Sequence, residues 1–141
     1  MEKIKNYWID EQGYHCFGCD PNHASGLKME FYEDGDEVVC FWEPTGEHQG
    51  WVNVLHGGIQ ATLIDEICGW VVFHKFQSSA VTSKMEVKYR KPVKTNEGKL
   101  TIRARAVDHR RNLVTINAQI FNAAGELCTE GCCIYFMLAK M

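Results

Sequence analysis

From Ile59 to Val72 the apolar positions recur three and four residues apart. Ile59, Leu63, Ile67 and Val71 form one row, and Ile64, Cys68 and Val72 a second. This spacing predicts an α-helix of about five turns within residues 55–76. The two rows leave no broad polar stripe, so the helix is expected to be enclosed rather than to lie on a surface. Two acids, Asp65 and Glu66, nonetheless sit in its middle. Asp65 has Ala61 one turn before it and Gly69 one turn after, so little bulk crowds its row. An acid with space beside it in an apolar helix points to a site. The stretch opens on Gly57-Gly58, which lets a ligand atom approach the free N–H groups of a helix N-terminus, where the dipole favours negative charge.

Beyond Gln77 the period changes from 3.6 to 2. Met85, Val87 and Tyr89 alternate with charged residues up to Pro92; Leu100, Ile102, Ala104 and Ala106 alternate with Thr101, Arg103 and Arg105. Val114, Ile116, Ala118 and Ile120 repeat the pattern, Asn122–Gly125 reads as a turn, and Leu127–Leu138 as a last, more buried strand. Before the helix, Leu27–Tyr32 and Glu37–Trp42 flank Glu-Asp-Gly-Asp and predict a hairpin. Residues 1–13 are expected to form a short amphipathic lead-in helix, and residues 14–26 a turn-rich loop holding Cys16-Phe-Gly-Cys19. Two strands, a long helix and four strands make an α+β chain with an antiparallel sheet on one helix. One helix covers only part of such a sheet, so self-association through an edge strand or the helix face is expected.

A length of 141 residues fits one domain, taken as 1–141. A hydrophobic fraction of 45%, a charged fraction of 23% and a net charge of −3 fit a soluble globular protein and give nucleic acid no positive field. No apolar run of spanning length and no leader-like N-terminus is apparent, so neither a membrane span nor secretion is expected. Seven cysteines, an odd number, fit a reducing cytoplasm better than a disulfide scaffold. His15 and His23 near Cys16-x-x-Cys19 invite a metal reading, but no second ligand pair at suitable spacing is evident, and the loop is read as structural, without metal.

The ordered set Cys16-Phe-Gly-Cys19, Gly26-Leu27, His48-Gln49-Gly50, His56-Gly57-Gly58, Leu63-Ile64-Asp65-Glu66 and Tyr89-Arg90-Lys91-Pro92 resembles the PaaI-like branch of the hotdog-fold acyl-CoA thioesterases over roughly residues 14–138. The resemblance implies an antiparallel sheet wrapped around one long central helix and hydrolysis of acyl-CoA, aliphatic or aromatic, at a homodimer interface, with dimers pairing into a tetramer and no cofactor. It implies Asp65 as general base or nucleophile, the Gly57 N–H as oxyanion donor, and Thr82, with Ser83 as its neighbour, positioning the attacking water. His56, Gly58, Gln49 and Trp51 would line the substrate site, and Arg90 and Lys91 would meet the CoA phosphates. Three departures stand out: Asn53 and, after the second cysteine, Asp20, where the family usually has glycine, and Gly50 where some relatives have a catalytic asparagine, a part left open between Gln49, His48 and nothing. The alternative function is a catalytically silent acyl-CoA or small-ligand binding module.

Helix geometry adds a consequence to the roles that the resemblance implies. Gly57 and Asp65 are eight residues apart on one helix, about 12 Å along its axis. They cannot act on one carbonyl within one chain, so a partner chain is expected to complete the site.

Overall fold

The change of period at Gln77 is a sharp corner. The computed structural model describes residues 1–140, and in it α1 (Gly57–Phe76) passes straight into β4 (Ser78–Tyr89). Gln77 takes the left-handed conformation (φ 52°, ψ 47°) and its N–H donates to the Phe73 carbonyl, closing the helix. The remaining strands are β1 (Glu2–Lys3), β2 (Tyr32–Asp34), β3 (Glu37–Trp42), β5 (Leu100–Arg110), β6 (Leu113–Phe121) and β7 (Leu127–Lys140). They form a seven-stranded antiparallel sheet in the order β1-β2-β3-β5-β6-β7-β4. This is the hotdog arrangement, a long sheet wrapped on one helix. No helix among the described residues is long and apolar enough to cross a membrane.

Register explains how the helix fits. Cys40, Ile102, Ile120 and Thr129 stand opposite one another across β3, β5, β6 and β7, and all four are fully buried. The adjacent inward row is Val38, Ala104, Ala118 and Gly131. Side chains shrink along it to nothing at Gly131, where Ile64 of α1 descends onto the sheet. A Cβ on Gly131 would fall 2.5 Å from Ile64 Cγ2. Gly131→Val is therefore expected to lower stability by roughly 1–3 kcal/mol through overpacking, read as a lower urea midpoint with unchanged m-value.

The helix is enclosed on its other side by the N-terminal segment. Trp70 stacks on Phe31 at 4.9 Å, and Phe73 meets Trp8 at 5.5 Å and Tyr7 at 6.3 Å. Here the structure corrects two sequence expectations. Residues 1–13 form no helix: Glu2–Lys3 pair with β2, and the Ile4 N–H donates to the Phe31 carbonyl, burying Ile4 as a strand extension. Of their apolar residues only Ile4 is buried and Trp8 packs partly against the core, while Met1, Tyr7 and Ile9 stay exposed, so no helical stripe forms. The first hairpin arm begins at Tyr32, not Leu27. Lys28 adopts φ 54°, which no strand residue does, and the Leu27 and Met29 amides donate to Phe17 and Gly18 of the preceding loop. The hairpin turn itself lies where Glu-Asp-Gly-Asp placed it, with Gly35 supplying φ 64°. The sheet thus has one strand more than the pattern showed.

Candidate active site

Thr82 of β4 and Tyr135 of β7 stand directly opposite each other in the ladder, so both side chains leave the sheet on the helix side. They converge on one oxygen. Thr82 Oγ1 donates to Asp65 Oδ1 at 2.7 Å, and the Tyr135 hydroxyl donates to the same Oδ1 at 2.6 Å, sharing its proton with the Asp65 carbonyl at 2.9 Å. Burial, with Cys68 and Asp65 close by, pushes the Tyr135 hydroxyl far above the ordinary phenol range, so it stays a donor. Asp65 Oδ2 has no protein partner among the described residues. Because no buried side-chain oxygen or nitrogen is left unsatisfied, Oδ2 reaches solvent. The carboxylate is thus fixed at one oxygen and open at the other.

The ladder slips between Thr82 and Lys84, leaving Ser83 as the bulged residue without a partner on β7. Of the two hydroxyls expected near the helix acid, the structure brings Thr82 to Asp65 and leaves Ser83 exposed.

At the other end of the site, His56 caps α1. Its Nδ1 accepts the Gly58 N–H at 2.8 Å, which makes His56 a shaper of the turn and removes the Gly58 amide from any ligand. No group among the described residues accepts the Gly57 N–H, one of the orphan donors of a helix start. The exposed Tyr89 of β4 donates to the Gly57 carbonyl at 2.8 Å, fastening this end of the helix to the strand. Asn53 adopts φ 60°, the left-handed region asparagine tolerates best after glycine. Gln49 Oε1 accepts the Asn53 N–H at 3.1 Å and so stabilises this turn. Trp51 and Val52, 82% and 70% exposed, stand out from the same loop. Arg90 pairs with Glu130 and Lys91 with Glu126, so each would meet an anion only by exchanging its carboxylate. Within one chain, then, the structure joins Thr82 to Asp65 and keeps Gly57 at the far end of the helix.

Sequence reasoning missed Tyr135. Alternation along β7 makes it inward-facing, but only the register sets it opposite Thr82. It also missed the third member of the Cys16-x-x-Cys19 group: the Cys16 thiol donates to Glu66 Oε1 at 3.2 Å. Contact between the two thiols holds Cys16 below the ordinary thiol range and, together with burial, Cys19 far above it.

The sequence pattern of the thioesterase superfamily matches residues 52–129, over half of the chain and all of the helix. The chain belongs to the thioesterase superfamily. Its similarity to human acyl-coenzyme A thioesterase 13 is 28% identity over 97 residues, 67% of this chain and 69% of that one. Among solved structures, zebrafish thioesterase superfamily member 2 aligns with a TM-score of 0.70 and 26% identity over 79% of this chain and 82% of that one. A hypothetical thioesterase of Streptococcus pneumoniae, solved with coenzyme A, aligns at 0.73 and 24% over 79% and 90%. The superfamily makes this chain a thioester hydrolase, and the fold is the one its motifs implied.

Proposed function

We propose that this thioesterase hydrolyses acyl-CoA thioesters at a site shared between two chains, with Asp65 as general base or nucleophile, Thr82 positioning the water, and the partner's Gly57 N–H receiving the thioester oxygen. The observation that carries this reading is the half-committed Asp65 carboxylate. Two hydroxyls hold Oδ1 and leave Oδ2 to take a proton from water or to attack the carbonyl carbon. Thr82 donates its own proton to Asp65, so its lone pairs remain to accept from that water. The CoA ester is supported by the similarity to acyl-coenzyme A thioesterase 13 and by the coenzyme A in the streptococcal structure.

The open edge strand supports the partner chain. β4 ends the sheet with its outer side unpaired, and Val81 and Tyr89 are half exposed along it. Thr82 contacts Asp65, while Tyr89 contacts Gly57. If two β4 strands pair antiparallel about a point between Met85 and Glu86, Thr82 of each faces Tyr89 of the other. Asp65 of one chain then approaches Gly57 of its partner, which removes the 12 Å problem and covers an open edge.

Thiol release from short, long and aromatic acyl-CoAs tests the activity. Fast release with one class is expected; a folded oligomer that binds acyl-CoA and releases thiol from none would instead be a binding module. Tyr135→Phe removes one of the two donors on Oδ1 and leaves Thr82. We expect kcat to fall about ten- to a hundredfold with KM nearly unchanged, a hydrogen bond to a charged group being worth about 1.5–3 kcal/mol.

A further inference from the structure

Cys16 Sγ, Cys19 Sγ and a Glu66 carboxylate oxygen all lie within 4.8 Å of one another. Around a tetrahedral zinc ion, with Zn–S about 2.3 Å and Zn–O about 2.1 Å, such atoms stand about 3.6–3.8 Å apart. Shifts of about an ångström at most, within reach of side-chain rotation, bring the three to that spacing. The donors come from two places that only the fold unites, the 14–26 loop and the middle of α1.

The surroundings suit a metal-bound thiolate. Asn6 Nδ2 donates to the Tyr14 hydroxyl at 3.0 Å, and that hydroxyl lies 2.9 Å from Cys19 Sγ, free to give its own proton to a thiolate there. Sulfur that receives such a bond is set as an acceptor, as outer donors set metal-bound ligands. Gly18 presses the loop onto the acid: a Cβ there would fall 2.6 Å from Glu66 Cδ. No Lys or Arg pairs with Glu66 among the described residues. The nearby histidines are engaged elsewhere, His15 stacked on His23 at 3.9 Å and His23 Nδ1 accepting the Ser25 N–H.

We propose that Cys16, Cys19 and Glu66 form a binding site for a thiophilic divalent cation, zinc foremost, with a fourth position open to water. Two thiolates and one carboxylate favour zinc over magnesium or calcium, which take oxygen ligands. The ion would clip the N-terminal loop to α1 one residue from Asp65, a role separate from hydrolysis.

The reduced full-length chain, stripped with chelator, would be titrated with cobalt(II) and then zinc(II). One equivalent of cobalt is expected to give thiolate-to-metal charge-transfer absorption that zinc abolishes. Cys16→Ser and Cys19→Ser should each lose the band, and Glu66→Gln should weaken binding about tenfold or more. A second readout uses the unaltered chain: zinc should block iodoacetamide at Cys16 while the exposed Cys132 reacts at an unchanged rate. Absence of the band, its persistence in the Cys16→Ser/Cys19→Ser double variant, or unslowed alkylation of Cys16 would overturn the site.

Discussion

Asp65→Asn is expected to lower kcat for the best acyl-CoA by about 10²–10⁴-fold, the usual contribution of a general acid–base group, with KM little changed. The substitution is chosen for what it preserves. An asparagine carbonyl oxygen still accepts the bonds that Thr82 Oγ1 and the Tyr135 hydroxyl make to Oδ1. The side chain therefore keeps its place, and the neighbouring hydroxyls stay satisfied. What changes is the free oxygen, which becomes an NH₂ group that can neither accept a proton nor attack carbon. Steady-state thiol release checks the rate, and circular dichroism with light scattering checks that fold and oligomer survive. A loss smaller than tenfold in a folded variant would move the chemistry away from Asp65.

Gly57→Pro should cost nearly as much, about 10²–10³ in kcat, by deleting a single N–H. Proline is the residue to use because the position already suits it. Gly57 is the first residue of α1, where proline is favoured and the missing donor breaks no helical bond. His56 before it has φ −56° and ψ 132°, the extended region that a residue preceding proline prefers. A Cβ at Gly57 meets the Tyr89 ring at 3.5 Å, ordinary contact. The variant should therefore fold like the parent and differ in oxyanion stabilisation alone, with kcat and kcat/KM reduced together. Unchanged kcat would show that another donor holds the thioester oxygen.

Much of this was legible in the chain because it is local. The two apolar rows of α1 and the strict alternation of β5 and β6 each record which face is buried. Val114, Ile116, Ala118 and Ile120 are all fully buried, as their period demands. Asp65 was visible as one of two adjacent acids in the middle of an otherwise apolar stretch of helix. What could not be read depends on register and on distance in sequence. The Thr82–Tyr135 pairing rests on a bulge at Ser83 that no local pattern encodes. Glu66 meets Cys16 across 50 positions. The lead-in helix failed for a related reason: Tyr7 and Trp8 are apolar because Phe73 lies beneath them, not because they form a stripe of their own.

The division of the site between two chains can be tested by mixing. Asp65→Asn and Gly57→Pro chains, each nearly inactive alone, would be unfolded and refolded together. In a mixed dimer, one site combines the intact Asp65 of one chain with the intact Gly57 of the other, while the second site has lost both. Half the dimers are mixed and each has one good site of two, so recovery of about a quarter of wild-type activity is expected. Activity that stays at the level of the separate variants, although mass spectrometry shows mixed dimers, would contradict a site built from two chains.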